Sequence, residues 1–452
     1  MTTSVPAVGS FNSDDAALKR QARRVAVVSG LGAMIDYYDL SVAGSLAAAV
    51  WPALFFPKGS FAAAFATSAG VTFGVAFLAR PIGAAIFGHF GDTIGRKTTL
   101  IATLVVAALG TLGIAAAPTY AQGGFFGIAL IIACRFLFGL GMGGEMGGAV
   151  AWTTEAAAAA KTKRRGLFSG SLGVFSGIGT VLGAGTVLTA TNLMSAGDFS
   201  NWGWRVVILV ATVILLVGGV ARYWVQESPL FEALKQRNAV IKGAPLGELL
   251  KERWRMVFVL SWIPVAGTLI ISLNTNFLAG YLIASKASFY SPSYFYTAQL
   301  IGGIGLTIVA AMSAYLTDVI GRKRAILITV VLAVVVAPLG LLVLFPSGNW
   351  ALVILGALLF ALPVGGQGAF FVLFAESFPT KFRQTGAGVT YQGSNLWEAV
   401  IFIFLVPWFY VTFGLTDSLL PLTLLSLAAS CAALLALRYA RETRGGALEA
   451  DF

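Results

Sequence analysis

Charged residues, cysteine and histidine are all scarce in this sequence. Only 11% of its 452 residues are Asp, Glu, Lys or Arg, and it contains two Cys and one His. Two thiols cannot form a disulfide framework, and a single His without a Cys cluster offers no metal site. The glycine and lysine loop that holds nucleotide phosphates is also absent. We therefore predict no bound metal, no cofactor and no enzymatic activity.

Apolar residues dominate the chain instead. They make up 58% of it, and the mean hydropathy is +0.85, which is more apolar surface than a soluble core can hide. A membrane-spanning helix needs about 20 mainly apolar residues. We predict an all-α membrane protein with twelve spans. They cover residues 25–55, 61–88, 98–117, 123–157, 166–193, 203–225, 256–284, 293–316, 324–345, 350–376, 385–413 and 416–438.

The formal charge of +11 would indicate nucleic-acid binding in a soluble protein, so the positions of the 30 Lys and Arg matter. They cluster at every second joint between spans, whereas the alternate joints hold little beyond Lys58, Arg205 and Lys286. This distribution follows the positive-inside rule. It excludes a nucleic-acid partner and predicts that both termini lie in the cytosol.

Two internal repeats divide the spans into two sets of six. Asp92–Lys97 (DTIGRK) recurs as Asp318–Lys323 (DVIGRK), and Phe138–Glu145 (FGLGMGGE) resembles Phe360–Gln367 (FALPVGGQ). Parallel repeats of six helices with a substrate site between them are one of the transporter architectures. We predict a cytosolic tail, a first bundle, a cytosolic linker, a second bundle and a second tail at residues 1–24, 25–226, 227–255, 256–438 and 439–452.

Six ionisable residues fall inside the predicted spans, where charge is costly and usually faces a cavity or a partner. They are Asp36, Asp39, Arg80, Arg135, Glu145 and Glu398. Asp36 and Asp39 share one helical face, so their repulsion and desolvation favour proton uptake. We expect Arg135 to lie near them, either as a coupling partner or in a permanent structural ion pair. Glu145 is a candidate partner of Arg80, and Glu398 has no obvious cationic partner in its half.

The repeated turns are candidate gates. Gly95 and Gly321 suit tight turns with positive φ, and Asp92 and Asp318 can meet a positive helix end or an Arg. We predict that these turns, with Arg96 and Arg322, latch the two halves together. The alternative is that their basic residues only fix the orientation of the chain.

The segment Gly88–Lys97 is similar to the signature loop of the major facilitators. Arg135–Ala149 resembles a stretch of their metabolite:proton symporter group, which includes permeases for 2-oxoglutarate, shikimate, citrate and proline or betaine. Glu376-Ser-Phe-Pro with Arg383 also matches that group, which adds both residues to the candidate gate. The resemblance implies the major facilitator fold and proton coupling through a first-span acid and Arg135. Asp36-Tyr-Tyr-Asp-Leu40 departs from the group's usual first-span sequence.

Together these patterns predict a proton-driven importer of a small metabolite, most simply an organic carboxylate, working as a monomer in the inner membrane of a bacterium. An exporter or an uncoupled facilitator of a zwitterion or another solute is the alternative, and a channel or a membrane sensor is a second one. The expected proton-coupling residues are Asp36, Asp39, Arg135 and Glu398. The expected substrate contacts are Tyr37, Tyr38, Arg80, Arg135, Glu145, Asn274, Asn276, Tyr281, Gln392 and Asn395, some of which have helix-to-helix bonding as the alternative role.

Overall fold

The structure, a computed structural model, describes residues 15–56, 73–236, 245–273, 292–405, 419–446 and 448. These residues form helices and connecting turns, with no β-strand among them. The helical content is what the apolar composition requires, because a helix satisfies every backbone hydrogen bond within its own segment.

The helices of the first half are α1 (Asp15–Ala49), α2 (Val75–Thr93), α3 (Arg96–Ala116), α4 (Phe125–Ala159), α5 (Arg165–Leu193) and α6 (Trp204–Tyr223), with short helices at Trp51–Phe55, Tyr120–Gly123, Ala196–Asp198 and Pro229–Gln236. The second half contains α7a (Pro245–Ser261), α7b (Val265–Ser272), α8 (Pro292–Ile320), α9 (Arg322–Pro338), α10a (Trp350–Val364), α10b (Gln367–Ser377), α11 (Arg383–Val400) and α12 (Leu420–Tyr439). Several helices continue into π or 3₁₀ turns, at Phe199–Gly203, Leu339–Leu344, Phe345–Ser347, Thr380–Phe382 and Ile401–Leu405.

Within the described residues, 9 helices are long and apolar enough to cross a membrane, or 10 if the pair α7a and α7b, bent by 49°, counts as one span. Helices α2 and α11 border ranges that the structure does not describe, so the number of twelve spans stays a prediction. The boundaries differ in two places. Helix α1 begins at Asp15, inside the predicted tail, and the predicted linker 227–255 contains one short helix and the start of α7a.

Both D-x-I-G-R-K turns lie at one end of the bundle, which we call the motif face. Each turn places a glycine with positive φ directly before a helix, Gly95 at 124° before α3 and Gly321 at 99° before α9. A Cβ at Gly321 would lie 2.7 Å from the Glu442 carboxylate, so neither the backbone angle nor the space admits a side chain. The prediction of tight glycine turns is confirmed.

The two halves pack through glycines that let helix backbones approach closely. A Cβ on Gly147 of α4 would lie 2.6 Å from the Cα of Gly388 on α11, and one on Gly170 of α5 would lie 2.5 Å from the Cβ of Ala314 on α8. Small residues at such crossings are typical of membrane helix pairs. The helix pairs α4–α11 and α5–α8 therefore hold the first half against the second.

Candidate functional site

Three buried ion pairs occupy the interior of the first half, and the first joins Asp36 of α1 to Arg80 of α2. Two guanidinium nitrogens donate to the two carboxylate oxygens, with the Nη1–Oδ2 distance at 3.0 Å. Both residues are buried. Of the two first-span acids near which we expected Arg135, Asp36 binds Arg80 through both of its oxygens instead.

The second pair joins Asp39 to Arg135 of α4. Arg135 Nη1 donates to Asp39 Oδ2 at 2.7 Å, and this carboxylate is the one hydrogen-bond partner of Arg135 among the described residues. The Arg135 guanidinium lies 5.3 Å from the ring centre of Trp51. Its Nε, like those of Arg80 and Arg222, is buried without a partner among the described residues, and the Asp39 side chain keeps 13% of its surface exposed. This pair is the least saturated of the three.

The third pair joins Glu145 of α4 to Arg222 of α6. Arg222 Nη1 donates to Glu145 Oε2 at 2.8 Å and to the Leu100 carbonyl at 2.7 Å, and Thr103 Oγ1 donates to Glu145 Oε2 at 2.9 Å. Both charged side chains are fully buried. The predicted pairing of Glu145 with Arg80 is therefore wrong. The saturation of Glu145 points to a structural role.

Glu398 of α11 has no cationic partner within hydrogen-bonding distance in the described part of the chain. Ser272 Oγ of α7b donates to its Oε2 at 2.8 Å, while its Oε1 is buried and has no hydrogen-bond partner in the described part of the chain. The residue is 1% exposed. Away from the motif face, the described residues thus place four carboxyl groups in the interior with three guanidinium groups, and each guanidinium has a carboxylate partner other than Glu398.

The remaining predicted contacts separate into three kinds. The Tyr38 hydroxyl donates to the Val207 carbonyl at 2.8 Å and so anchors α1 to α6. We had expected Tyr38 to contact the substrate. Tyr37 of α1 is hydrogen-bonded to Tyr391 of α11, across the two halves. Gln392 donates to the Gly143 carbonyl of α4 at 3.3 Å, which joins two helices, and accepts from Asn395 within α11. Asn274, Asn276 and Tyr281 lie outside the described residues.

At the motif face, the first turn binds the second half. Asp92 accepts the backbone N–H groups of Gln384 at 3.2 Å and Thr385 at 2.9 Å, at the N-terminus of α11. Glu155 at the end of α4 accepts from Arg96 at 3.2 Å and from Arg383 of the second half at 3.0 Å. A carboxylate at a helix N-terminus is favoured by the helix dipole. These contacts tie carboxylates of the first half to a helix N-terminus and an Arg of the second half.

The second turn repeats the arrangement in the opposite direction. Asp318 accepts the backbone N–H groups of Gly166 and Leu167, both at 2.9 Å, at the N-terminus of α5. Glu376 accepts from Arg322 at 3.0 Å and lies 3.3 Å from Arg165 of the first half. The predicted gating residues are therefore brought together at one face, in two matching networks that cross between the halves.

Glu227 and Glu442 complete these networks. Glu227 accepts the backbone N–H of Arg96 at 3.1 Å, and Glu442 accepts that of Arg322 at 3.0 Å. Burial raises the pKa of Glu227 despite the hydrogen bonds from Ser228 and Lys97. Glu442 is exposed, so hydrogen bonds from the backbone N–H groups of Arg444, Arg322 and Lys323 outweigh the opposing effect of burial and lower its pKa. The pKa values of these two equivalent helix caps are therefore shifted in opposite directions.

Sequence reasoning missed several of these groups, although the repeats contain the signal for them. Glu227-Ser228 and Glu442-Thr443 follow the last helix of each half, and Ser228 and Thr443 donate to Glu155 and Glu376 respectively. A search for a second copy of every polar pair at a helix end would have found them. Arg222, the partner of Glu145, carries no such signal because it has the appearance of an ordinary basic residue at the end of a span.

The sequence matches known transport proteins over most of its length. The family model described as Major Facilitator Superfamily matches residues 30–401. The "Inner membrane metabolite transport protein YhjE" of Escherichia coli (strain K12) is 33% identical over 414 residues, which cover 87% of this chain and 89% of that protein. The "Shikimate transporter" of the same organism is 30% identical and covers 83% of this chain and 85% of its own length.

The fold matches solved structures just as broadly. The proton:xylose symporter XylE, bound to 6-bromo-6-deoxy-D-glucose, superposes with a TM-score of 0.74, covers 95% of this chain and 98% of its own, and shares 17% sequence identity. At that identity the likeness carries the fold alone. The all-helical fold, the paired charges and the matched family model lead to one conclusion: the chain is a multi-pass membrane protein, not an enzyme, and belongs to the Major Facilitator Superfamily of transporters.

Proposed function

We propose that this transporter imports a small organic carboxylate together with protons. The observation that carries the proposal is the incomplete pairing of Arg135 with Asp39. Among the described residues Arg135 makes one hydrogen bond, to Asp39, whereas Arg80 and Arg222 each bind both oxygens of their carboxylate partners. An Arg offers five N–H donors in a planar fork that fits a carboxylate. A substrate carboxylate can therefore bind Arg135 at the expense of Asp39.

Proton coupling follows from that competition. When a substrate anion takes the guanidinium, Asp39 loses its counter-charge in a site that is largely closed to water, and an uncompensated buried carboxylate is strongly disfavoured. Uptake of one proton by Asp39 removes the penalty. The family resemblance supports this role for a first-span acid and a fourth-span Arg, and the shikimate transporter among the relatives supports a carboxylate substrate.

Gln299 of α8 and Gln367 of α10b supply further polar groups in the second half. The side-chain nitrogen and oxygen of both are buried without partners among the described residues. Buried amides are normally satisfied, so groups left open between helices are candidates for hydrogen bonds to a substrate. We include them with Tyr37 as substrate contacts, and we assign Tyr38, Glu145, Gln392 and Asn395 to helix packing.

The two networks of the motif face act as the inner gate. Each joins a carboxylate of one half to a helix N-terminus or an Arg of the other, so all of these contacts must break before the face can open. The basic residues that surround this face favour its placement in the cytosol of a bacterial cell. In the state described by the structure, the gate on that side is closed.

Uptake into proteoliposomes tests the proposal. Radiolabelled shikimate, 2-oxoglutarate and glycine betaine are offered with an inward proton gradient and again after an ionophore has collapsed it. We expect at least one carboxylate to accumulate only with the gradient. A carboxylate that equilibrates at the same rate in both conditions would identify an uncoupled facilitator. Preference for the betaine would favour the zwitterion transporter, for which the "Proline/betaine transporter" of Escherichia coli, 27% identical, provides a precedent.

A further inference from the structure

Glu398 differs from the other acids of the interior because no Arg neutralises it. Asp36, Asp39 and Glu145 each hold a guanidinium directly, with Arg80, Arg135 and Arg222 as partners. Glu398 has neutral hydroxyl groups beside it, with Ser272 donating to Oε2 and Thr268 nearby, and its Oε1 atom is buried without a hydrogen-bond partner among the described residues. The sequence indicated no obvious cationic partner for Glu398, and among the described residues the structure shows none within hydrogen-bonding distance.

The groups around Glu398 offset too little of the free-energy cost of burying an ionised carboxylate. Arg80 of α2 acts on it electrostatically, but both Nη atoms of Arg80 are bound to Asp36. Helix α7b contributes the neutral hydroxyls of Thr268 and Ser272. Tyr37 of α1 and Tyr391 on its own helix are neutral groups hydrogen-bonded to each other. The described residues of α4 and α10b, which also pack on α11, add no charged group that acts on Glu398.

Such a site favours the neutral acid. An isolated carboxylate in an apolar environment costs many kcal/mol, and real proteins avoid this cost by keeping the group protonated. A neutral carboxyl matches the observed partners as well, because its carbonyl oxygen accepts from Ser272 and its O–H needs no cation. We propose that Glu398 is a proton-binding site of the second half, distinct from the Asp39–Arg135 pair, and that it holds its proton while the motif face is closed.

Helix α7b makes this site sensitive to the conformation of the transporter. It supplies the hydroxyl that contacts Glu398, and it follows a 49° bend after α7a. A movement of α7b away from α11 removes the hydroxyl and admits water to a carboxyl that is 1% exposed in the closed state. The proton then passes from the carboxyl oxygen to water. Loading and release of this proton are thereby tied to the position of one helix.

Infrared spectroscopy of the full-length protein in lipid nanodiscs tests the site without a substrate. The probe is the carbonyl stretching band of a protonated carboxylic acid, recorded in H₂O and D₂O at neutral pH. We expect the band in the wild type and in Asp36→Asn and Asp39→Asn, and its loss in Glu398→Gln. Glu232→Gln, at an exposed position, is the matched control. A wild type without the band, or a Glu398→Gln protein with an undiminished band, would overturn the proposal.

A second variant covers the case in which Glu398→Gln does not fold. Ser272→Ala removes the hydrogen bond to the Glu398 carbonyl, so the band should move to higher frequency and keep its area. A band that stays in place shows that the proton lies on another residue. The role of Glu398 in transport rests on the proposed function, but the infrared measurement does not. A wild type whose uptake ignores the proton gradient would refute symport while leaving the proton on Glu398 in place.

Discussion

Asp92 in the first half accepts the backbone N–H of Thr385 in the second half at 2.9 Å. Asp318 in the second half likewise accepts the backbone N–H of Gly166 in the first half at 2.9 Å. Each aspartate caps a helix that belongs to the opposite bundle. Both caps join the two halves at the motif face, and in the proposed mechanism they are lost when that face opens. This reciprocity gives a physical reason for the repeated spacing of the two turns within a single chain.

Loss of either cap should shift the transporter toward the state in which the motif face is open. A helix cap contributes about 1 kcal/mol, so Asp92→Ala and Asp318→Ala should each change the open-to-closed ratio about fivefold, and the double variant more. Spin labels at the exposed positions Arg164 and Arg324, one in each half, report the opening as a longer electron–electron distance. Distance distributions equal to those of the wild type would show that the caps only orient the chain.

Arg135 should tolerate no replacement if it binds the substrate carboxylate. Arg135→Lys keeps the charge but loses the planar fork, and a lost hydrogen bond to a charged group costs about 1.5–3 kcal/mol. We expect apparent substrate affinity to fall by at least tenfold in both uptake and counterflow. Arg205→Lys, outside the interior, is the matched control and should transport normally. Unchanged affinity in Arg135→Lys would exclude the proposed contact.

Asp39→Asn should separate two modes of transport. The amide cannot take up a proton, so accumulation against a gradient should fall, while counterflow, which needs no net proton movement, should continue. Asp198→Asn is the control because Asp198 is exposed and bonded to Ser195 in the loop between α5 and α6. Equal loss of both modes in Asp39→Asn would instead assign Asp39 a binding or structural role.

Glu145 should matter for stability more than for transport. Glu145→Gln leaves Arg222 charged and fully buried, and the removal of one partner from such a pair costs about 3–5 kcal/mol. We expect a clear fall in the unfolding temperature measured in detergent by intrinsic fluorescence. The double variant Glu145→Leu with Arg222→Met removes both charges and should recover much of the loss. A stable Glu145→Gln protein that fails to transport would instead assign Glu145 a role in substrate binding.

The two glutamate caps should give opposite responses to acid. The pKa of Glu442 is lowered on folding, so its contribution is present above the ordinary glutamate value and is lost as the pH falls through the lower folded value. The pKa of Glu227 is raised, so its contribution is present below the ordinary value and is lost as the pH rises through the higher folded value. Unfolding temperatures across the acid range should therefore be less acid-sensitive in Glu442→Gln and more so in Glu227→Gln. A change of the same sign in both variants would contradict this assignment.

The sequence by itself determined the class of protein and the positions of its two repeated turns. Apolar runs of membrane-spanning length, basic residues at alternate joints and a duplicated D-x-I-G-R-K segment are local patterns, and each acts through chemistry within a few residues. Gly95 and Gly321 could be placed in tight turns because a positive φ is a property of the residue itself. The acids inside the spans were recognisable for the same reason, since a charge in an apolar helix needs no neighbour to be noticed.

Only the tertiary structure decided which charges meet. Asp36 and Asp39 share a face of α1, yet they bind guanidinium groups from two different helices, α2 and α4. Glu145 binds Arg222, which is distant in sequence and resembles an ordinary basic residue at the end of a span. Glu398 binds no Arg among the described residues. Pairing depends on the rotation and depth of each helix in the bundle, and these are set by close packing along whole helices rather than by the charged residues. The sequence could therefore identify the ionisable groups, but the assembled bundle alone assigned each carboxyl its partner or left it without one.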